Sequence, residues 1–114
     1  HTPTRRQRQM CIRDRLSVAP LRMLDHVRDI CESHDVPVSL CGEMGGKPLQ
    51  AMALLGLGFR QFSVPSAAIG PVKRMLRSAH TQRLETAVRE ALDRPAADIR
   101  AELENIANRQ GIKL

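Results

Sequence analysis

The sequence predicts an α/β fold with two parallel strands, because strand-like and helical patterns alternate along the chain. Apolar alternation marks strands at residues 36–43 and 59–64, and helices of roughly 10–15 residues precede and follow them. Hydrophobic residues make up 42% of the 114 residues, which is a globular composition, and no apolar run is long enough to cross a membrane. Two strands make a poor sheet, so we expect the end of a larger α/β fold, cut from its beginning.

Helical periodicity predicts five helices, and local sequence features mark their ends. The first runs from about Leu21 to His34-Asp35, because the residue before Pro37 prefers extended backbone. The second, from Pro48 to Leu57, is almost wholly apolar, so we expect it to be buried although 114 residues offer little to surround it. Three more helices follow, through residues 69–76, over 81–93 and from Pro95 to Gly111.

The first strand divides its side chains between two faces. One face holds Val36, Val38 and Leu40, and the opposite face holds Ser39, Cys41 and Glu43. Since helices cover the apolar face, Cys41 is expected to point away from them. The other cysteines, Cys11 and Cys31, form no Cys-x-x-Cys pair with it, and no histidine lies at a metal-ligand spacing. This pattern favours a reduced, cytoplasmic protein, with Cys31 in the core.

Residues 1–15 hold five arginines against Asp14 and carry +4 of the formal net charge of +6, so the remaining 99 residues carry only +2. One interpretation is a small basic nucleic-acid-binding module whose affinity depends strongly on salt. Aromatic residues make up only 2%, without Trp or Tyr, which disfavours base stacking. The other interpretation is a non-native or disordered leader, because residues 10–15, MCIRDR, match the translation of a transposon end used in sequencing libraries. We favour the second, which places the domain at residues 16–114.

An ordered set of short motifs lies between Val36 and Ser78. It comprises Cys41-Gly42-Glu43, Gly45-Gly46, Leu55-Gly56-Leu57-Gly58, Phe62-Ser63, Ser66 and Ile69-Gly70-Pro71-Val72-Lys73. This set resembles the C-terminal end of the phosphoenolpyruvate-utilising enzymes. Within them it is most similar to Enzyme I of the bacterial phosphotransferase system, the phosphoenolpyruvate–protein phosphotransferase, including its nitrogen-regulatory branch.

The resemblance implies a fold and a role for one residue. The family's catalytic domain is a (β/α)8 TIM barrel, of which this chain would supply the last two strands and the C-terminal helices. In the family, phosphoenolpyruvate phosphorylates an enzyme histidine, and the cysteine of Cys-Gly-Glu is the proposed proton donor to the pyruvate enolate. Cys41 would take this catalytic role, which suits a thiol because model thiols have a pKa of about 8.5 and are largely protonated at pH 7. Glu43 shares its face, but its role stays open.

The resemblance also implies partners and a cofactor. The whole enzyme would bind phosphoenolpyruvate and pyruvate, pass the phosphoryl group to a histidine phosphocarrier protein, and form a homodimer in the cytoplasm, without nucleic acid or membrane. Its Mg²⁺ ligands and substrate-binding arginines have no matching motif here, so we assign no metal or cofactor ligand to this chain and expect it to be inactive alone. The alternative within the family is the corresponding end of pyruvate phosphate dikinase or phosphoenolpyruvate synthase.

Overall fold

Helices and two very short strands alternate through the first two-thirds of the chain, and two further helices follow. The computed structural model describes residues 17–41, 46–94 and 98–114. The elements in order are α1 (Val18–Ser33), β1 (Leu40–Cys41), α2 (Pro48–Leu57), β2 (Phe62–Ser63), a 3-10 turn (Ser66–Ala68), α3 (Ile69–Ser78), α4 (Thr81–Asp93) and α5 (Ile99–Gln110). The predicted α/β alternation with two parallel strands and a helical tail is confirmed.

The apolar helix α2 is the centre of the structure. Every residue from Gln50 to Leu57 is buried, and the helix packs chiefly against α4, with further contacts to α1, α3 and α5. Gly56 permits the closest approach, because a Cβ there would lie 2.5 Å from Val88 Cγ2. The expectation that the chain offers too little to surround this helix is therefore wrong. The amphipathic helices α4 and α5 turn their apolar faces inward and, together with α1 and α3, cover it.

The two strands form one parallel pair. Leu40 is the register partner of Phe62, and the Leu40 N–H donates to the Gln61 carbonyl at 3.0 Å. Both strands are shorter than the predicted stretches at 36–43 and 59–64, because each has a paired neighbour on one side only among the described residues. Phe59 belongs to the core rather than to the strand, since it is only 1% exposed.

Helix ends follow local backbone chemistry. α2 ends at Gly58, whose φ of 113° lies in the left-handed region that glycine adopts without strain. α1 begins at Val18, three residues before the predicted start, and is followed by Asp35 with a positive φ of 57°. α5 begins at Ile99, where the Asp98 side chain accepts from the Ala101 N–H. The predicted start of this helix at Pro95 lies outside the described residues.

Helix α1 buries only part of its apolar surface. Leu21 is buried and Leu24 packs against the core, but Met23, Val27 and Ile30 are exposed, with Met23 at 69%. Cys31, expected in the core, is half-buried. In the described segments no helix combines the length and apolarity that a membrane span requires.

Candidate functional site

Cys41 lies at the carboxyl end of β1 and is exposed with a free thiol. The preceding residue, Leu40, is half-buried and packs against the core, as does Val38. The alternation of side chains thus turns Cys41 away from the helices, as the sequence pattern predicts. A nucleophilic or acidic group at this position is open to a ligand rather than enclosed in the core.

Ser63 is the register partner of Cys41 on the neighbouring strand. It is exposed, while Phe62 before it is half-buried and packs against the core. Adjacent strands lie about 4.8 Å apart, so the thiol and the hydroxyl belong to one small surface at the carboxyl ends of the parallel strands. Carboxyl ends of parallel strands are where α/β proteins bind ligands.

The segments that follow the two strands meet beside this surface. A Cβ on Gly46 would lie 3.4 Å from Pro65 Cδ and 3.5 Å from Ala68 Cβ, so the segment just before α2 approaches the turn after β2. That turn is closed by the Ala68 N–H, which donates to the Pro65 carbonyl at 2.9 Å. Gly42 and Glu43 of the Cys-Gly-Glu motif lie outside the described residues, as does Cys11.

The described part of the chain contains no group of three or more His, Cys, Asp or Glu side chains that could hold a metal ion. The carboxyl-end surface itself offers one thiol and one hydroxyl. This pair suits proton transfer and hydrogen bonding, and it does not by itself clamp a charged substrate.

A larger cavity of about 690 Å³ lies at the opposite, amino-terminal ends of the strands, where its lining includes residues 36–38 before β1 and Gly58 and Arg60 before β2. Its three arginines are paired with carboxylates. Arg60 pairs with Glu85, Arg28 pairs with Glu32, and Arg89 makes a bidentate pair with Asp25 at 3.0 and 3.1 Å. The hydrogen bonds that Arg89 donates to the Asp25 carboxylate raise the pKa of Arg89 above its ordinary value. Because each of these arginines has a carboxylate partner, we interpret the side chains around this cavity as a structural ion-pair network that joins α1, α2 and α4.

Sequence reasoning found Cys41 but assigned no place in the site to Ser63. The period-two alternation could have found it, because Phe62 faces the core and the next residue must then face outward. The pairing of Ser63 with Cys41 depends on the strand register, which a single sequence does not contain.

An open surface at the carboxyl ends of parallel strands, supported by buried helices, is the arrangement of α/β enzymes. Comparison with known proteins agrees with this class. The family model for the phosphoenolpyruvate-utilising enzymes, in their phosphoenolpyruvate-binding domain, matches residues 4–81. The chain therefore belongs to the phosphoenolpyruvate-utilising enzyme family, as the resemblance in the Cys-Gly-Glu segment predicts.

Individual relatives point to one branch of this family. The chain is 32% identical over 102 residues to a protein of Salmonella typhimurium named phosphoenolpyruvate-dependent phosphotransferase system, covering 89% of the chain and 14% of that protein. It is 46% identical over 57 residues to the phosphoenolpyruvate-protein phosphotransferase of Cupriavidus necator, covering 50% of the chain and 10% of the relative. A phosphotransferase of the same name from Borreliella burgdorferi is 34% identical over 80 residues, 70% of the chain and 14% of the relative. The chain thus spans about a seventh or less of these relatives.

Proposed function

We propose that this chain is part of a phosphoenolpyruvate–protein phosphotransferase, in which it supplies the proton donor. The observation that carries the proposal is the position of Cys41, an exposed thiol at the carboxyl end of a parallel strand. The whole enzyme takes the phosphoryl group of phosphoenolpyruvate onto a histidine and passes it to a histidine phosphocarrier protein. The names of the relatives, phosphoenolpyruvate-protein phosphotransferases, support this assignment.

The step assigned to this chain is a proton transfer. Loss of the phosphoryl group leaves pyruvate as its enolate, whose carbon 3 must gain a proton. The Cys41 S–H bond breaks, its proton forms the new C–H bond of the pyruvate methyl group, and the electron pair stays on sulfur as a thiolate. Because Cys41 is exposed, water can return the proton for the next cycle.

Ser63 has a supporting part in the proposal. Its hydroxyl lies on the surface that Cys41 occupies and is free to donate to an oxygen of the substrate while the thiol faces carbon 3. The reverse reaction uses the same groups, with the Cys41 thiolate removing a proton from pyruvate.

The family's Mg²⁺ does not fit the residues described here, since no carboxylate cluster is present among them. No step assigned to this chain passes through the metal. In this proposal the Mg²⁺ ligands and the substrate-binding arginines belong to the rest of the enzyme. We therefore expect that the isolated chain neither hydrolyses phosphoenolpyruvate nor exchanges it with pyruvate.

We further propose that residues 16–114 are the end of a (β/α)8 barrel. Two features support this. The two-stranded parallel sheet lacks further partners among the described residues, and α1 exposes the apolar side chains of Met23, Val27 and Ile30. Packing of a preceding βα unit against this side would pair the open edge of the sheet and cover the exposed apolar side chains of α1. A cytoplasmic, homodimeric enzyme, in the sugar or the nitrogen-regulatory branch, completes the proposal.

A chimera tests the function. The corresponding C-terminal segment of the Salmonella relative is replaced by residues 16–114 of this chain. Exchange of isotope between pyruvate and phosphoenolpyruvate is then measured for the chimera, for the parent enzyme and for the isolated chain. We expect exchange by the chimera and none by the isolated chain. A chimera that folds with the parent's circular dichroism spectrum but exchanges nothing would contradict the proposal, as would exchange by the chain alone.

A further inference from the structure

A second cavity, of about 440 Å³, lies on the outer side of α3 and is lined by four cations. Its lining residues are Gly70, Lys73, Arg74, Arg77, Ser78 and Lys113. We call this cavity the basic hollow. It contains no residue of the Cys41–Ser63 surface, so the proposed proton transfer does not account for it.

Helical spacing brings three of the cations together. Lys73, Arg74 and Arg77 follow Gly70 by three, four and seven residues, which places all four positions on one side of α3. From the sequence alone this row is a solvated basic helix face. Arg77 also lies in the last turn, where a cation interacts favourably with the helix carbonyls, so the helix itself explains one of the three.

The fourth cation, Lys113, lies near the C-terminal end of the chain. After α5, Ile112 is 7% exposed and anchors the tail in the core. The next residue, Lys113, donates its backbone N–H to the Ser78 Oγ at 2.7 Å, and the Ser78 hydroxyl donates to the Met75 carbonyl at 2.9 Å. These bonds fix Lys113 beside the end of α3. The tail thereby converts an exposed helix face into a concave surface.

The charges of the basic hollow are not balanced from within. Its lining includes no Asp or Glu, and none of its four cations belongs to an ion pair among residues 17–41, 46–94 and 98–114. Elsewhere the fold matches Arg28, Arg60 and Arg89 with carboxylates. Four like charges held in one cavity repel each other, and a bound anion removes that repulsion.

We propose that the basic hollow binds a small anion that carries at least two phosphate groups. Two arginines offer planar forks that match phosphate oxygens, and two lysines add point charges. A volume of about 440 Å³ is in the range of small-molecule sites. The lining holds no aromatic or large aliphatic side chain on which a ring or acyl chain could rest, so recognition is of the charged groups themselves.

Gly70 makes the basic hollow directly testable. A Cβ placed on this residue meets no atom within 4 Å, so a side chain can extend over the cavity without displacing the fold. Gly70→Glu adds a carboxylate beside the cations, whereas Gly70→Gln adds a neutral side chain of the same shape. Both replace a helical glycine by a better helix former, so neither is expected to destabilise α3.

The experiment titrates the 114-residue chain with pyrophosphate at constant ionic strength and follows amide chemical shifts and heat of binding. We expect saturable shifts at residues 70–78 and 113, and affinity for pyrophosphate above that for inorganic phosphate or citrate. Gly70→Glu should weaken binding by roughly threefold or more relative to Gly70→Gln. Lys113→Gln should weaken it by a similar factor, whereas Arg100→Gln, which removes the same charge at the far end of α5, should not.

Three results would each overturn the proposal. The first is equal affinity of the Gly70→Glu and Gly70→Gln variants. The second is a shift pattern spread evenly over surface cations such as Arg100 and Arg109. The third is binding of citrate or inorganic phosphate as tight as that of pyrophosphate, which would remove the requirement for two phosphate groups.

Discussion

Cys41 and Ser63 are register partners at the carboxyl ends of two parallel strands, and both face away from the core against which Leu40 and Phe62 pack. The relationship is local, because each strand has only two residues. It nevertheless fixes which side chains serve packing and which are free for chemistry. The first residue of each strand packs against the core, and the second is exposed and can contact a ligand.

Stability measurements can separate these two roles. Phe62→Ala should lower the free energy of unfolding by about 1–3 kcal/mol, since Phe62 is half-buried and a fully buried Phe costs more. Ser63→Ala should change it by less than about 0.5 kcal/mol, because an exposed hydroxyl is replaced without loss of packing. Urea unfolding of both variants checks the prediction. A larger loss for Ser63→Ala than for Phe62→Ala would mean that the strand faces are assigned the wrong way round.

The contact between α2 and α4 gives a second prediction. Gly56→Ala should destabilise the protein by about 1–2 kcal/mol despite alanine's higher helix propensity, because its Cβ would lie 2.5 Å from Val88 Cγ2. Val88→Ala alone should also destabilise, by leaving a cavity. In the double variant the 2.5 Å contact is removed but the Cβ of residue 88 would still lie 2.9 Å from the new Cβ, so the cost of Gly56→Ala should fall without disappearing. Additive effects in the double-mutant cycle would contradict this close packing.

The ion pair between Arg89 and Asp25 gives a third prediction, which concerns the salt dependence of stability. Arg89→Met should cost about 0.5–1 kcal/mol at low salt and less at high salt, since the Arg89 side chain is 44% exposed and is screened by solvent. Arg100→Met, on the outer face of α5, is the matched control and should cost little.

The pH dependence of this pair has a defined sign. The hydrogen bonds that Arg89 donates to Asp25 raise the pKa of Arg89. The contribution of the pair to stability is therefore fully present below the unfolded-state pKa of the arginine and is lost only as pH rises through the folded-state value. Arginine titrates above about pH 12, so the difference between the wild-type chain and Arg89→Met should stay constant from about pH 7 to about pH 10. If the difference in free energy of unfolding disappears within this pH range, the group whose titration controls the ion pair is not Arg89.

Much of the helical structure could be predicted from the sequence, because the responsible features are local. Pro48 and Gly58 bound α2 as predicted, and Gly111 ends α5 with a positive φ of 69°. The apolar face of α4 formed by Leu84, Val88 and Leu92 is buried, as the helical spacing predicts. The predicted strands are longer than the observed ones, because the length of a strand depends on pairing with neighbouring strands, which the local sequence pattern does not show.

The site was predicted in part. Alternation along β1 and the resemblance to the phosphoenolpyruvate-utilising enzymes identified Cys41, but the pairing with Ser63 needed the register. The fourth cation of the basic hollow could not be found from the sequence, because Lys113 is 36 residues from Arg77 and is placed by a hydrogen bond to Ser78. The role of Glu43 and the origin of residues 1–15 stay predictions; sequencing reads that cross residues 15 and 16 in native DNA test the latter.

The central claim is that Cys41 donates the proton, and the most direct measurement is incorporation of deuterium into the methyl group of pyruvate by the chimera in deuterated water. Cys41→Ala should reduce the rate of incorporation by about 10²–10⁴, the usual range for loss of a general acid or base. Cys31→Ala, which removes a half-buried thiol of α1, should leave the rate near that of the unsubstituted chimera. Retention of full incorporation by Cys41→Ala in a folded chimera would contradict the assignment.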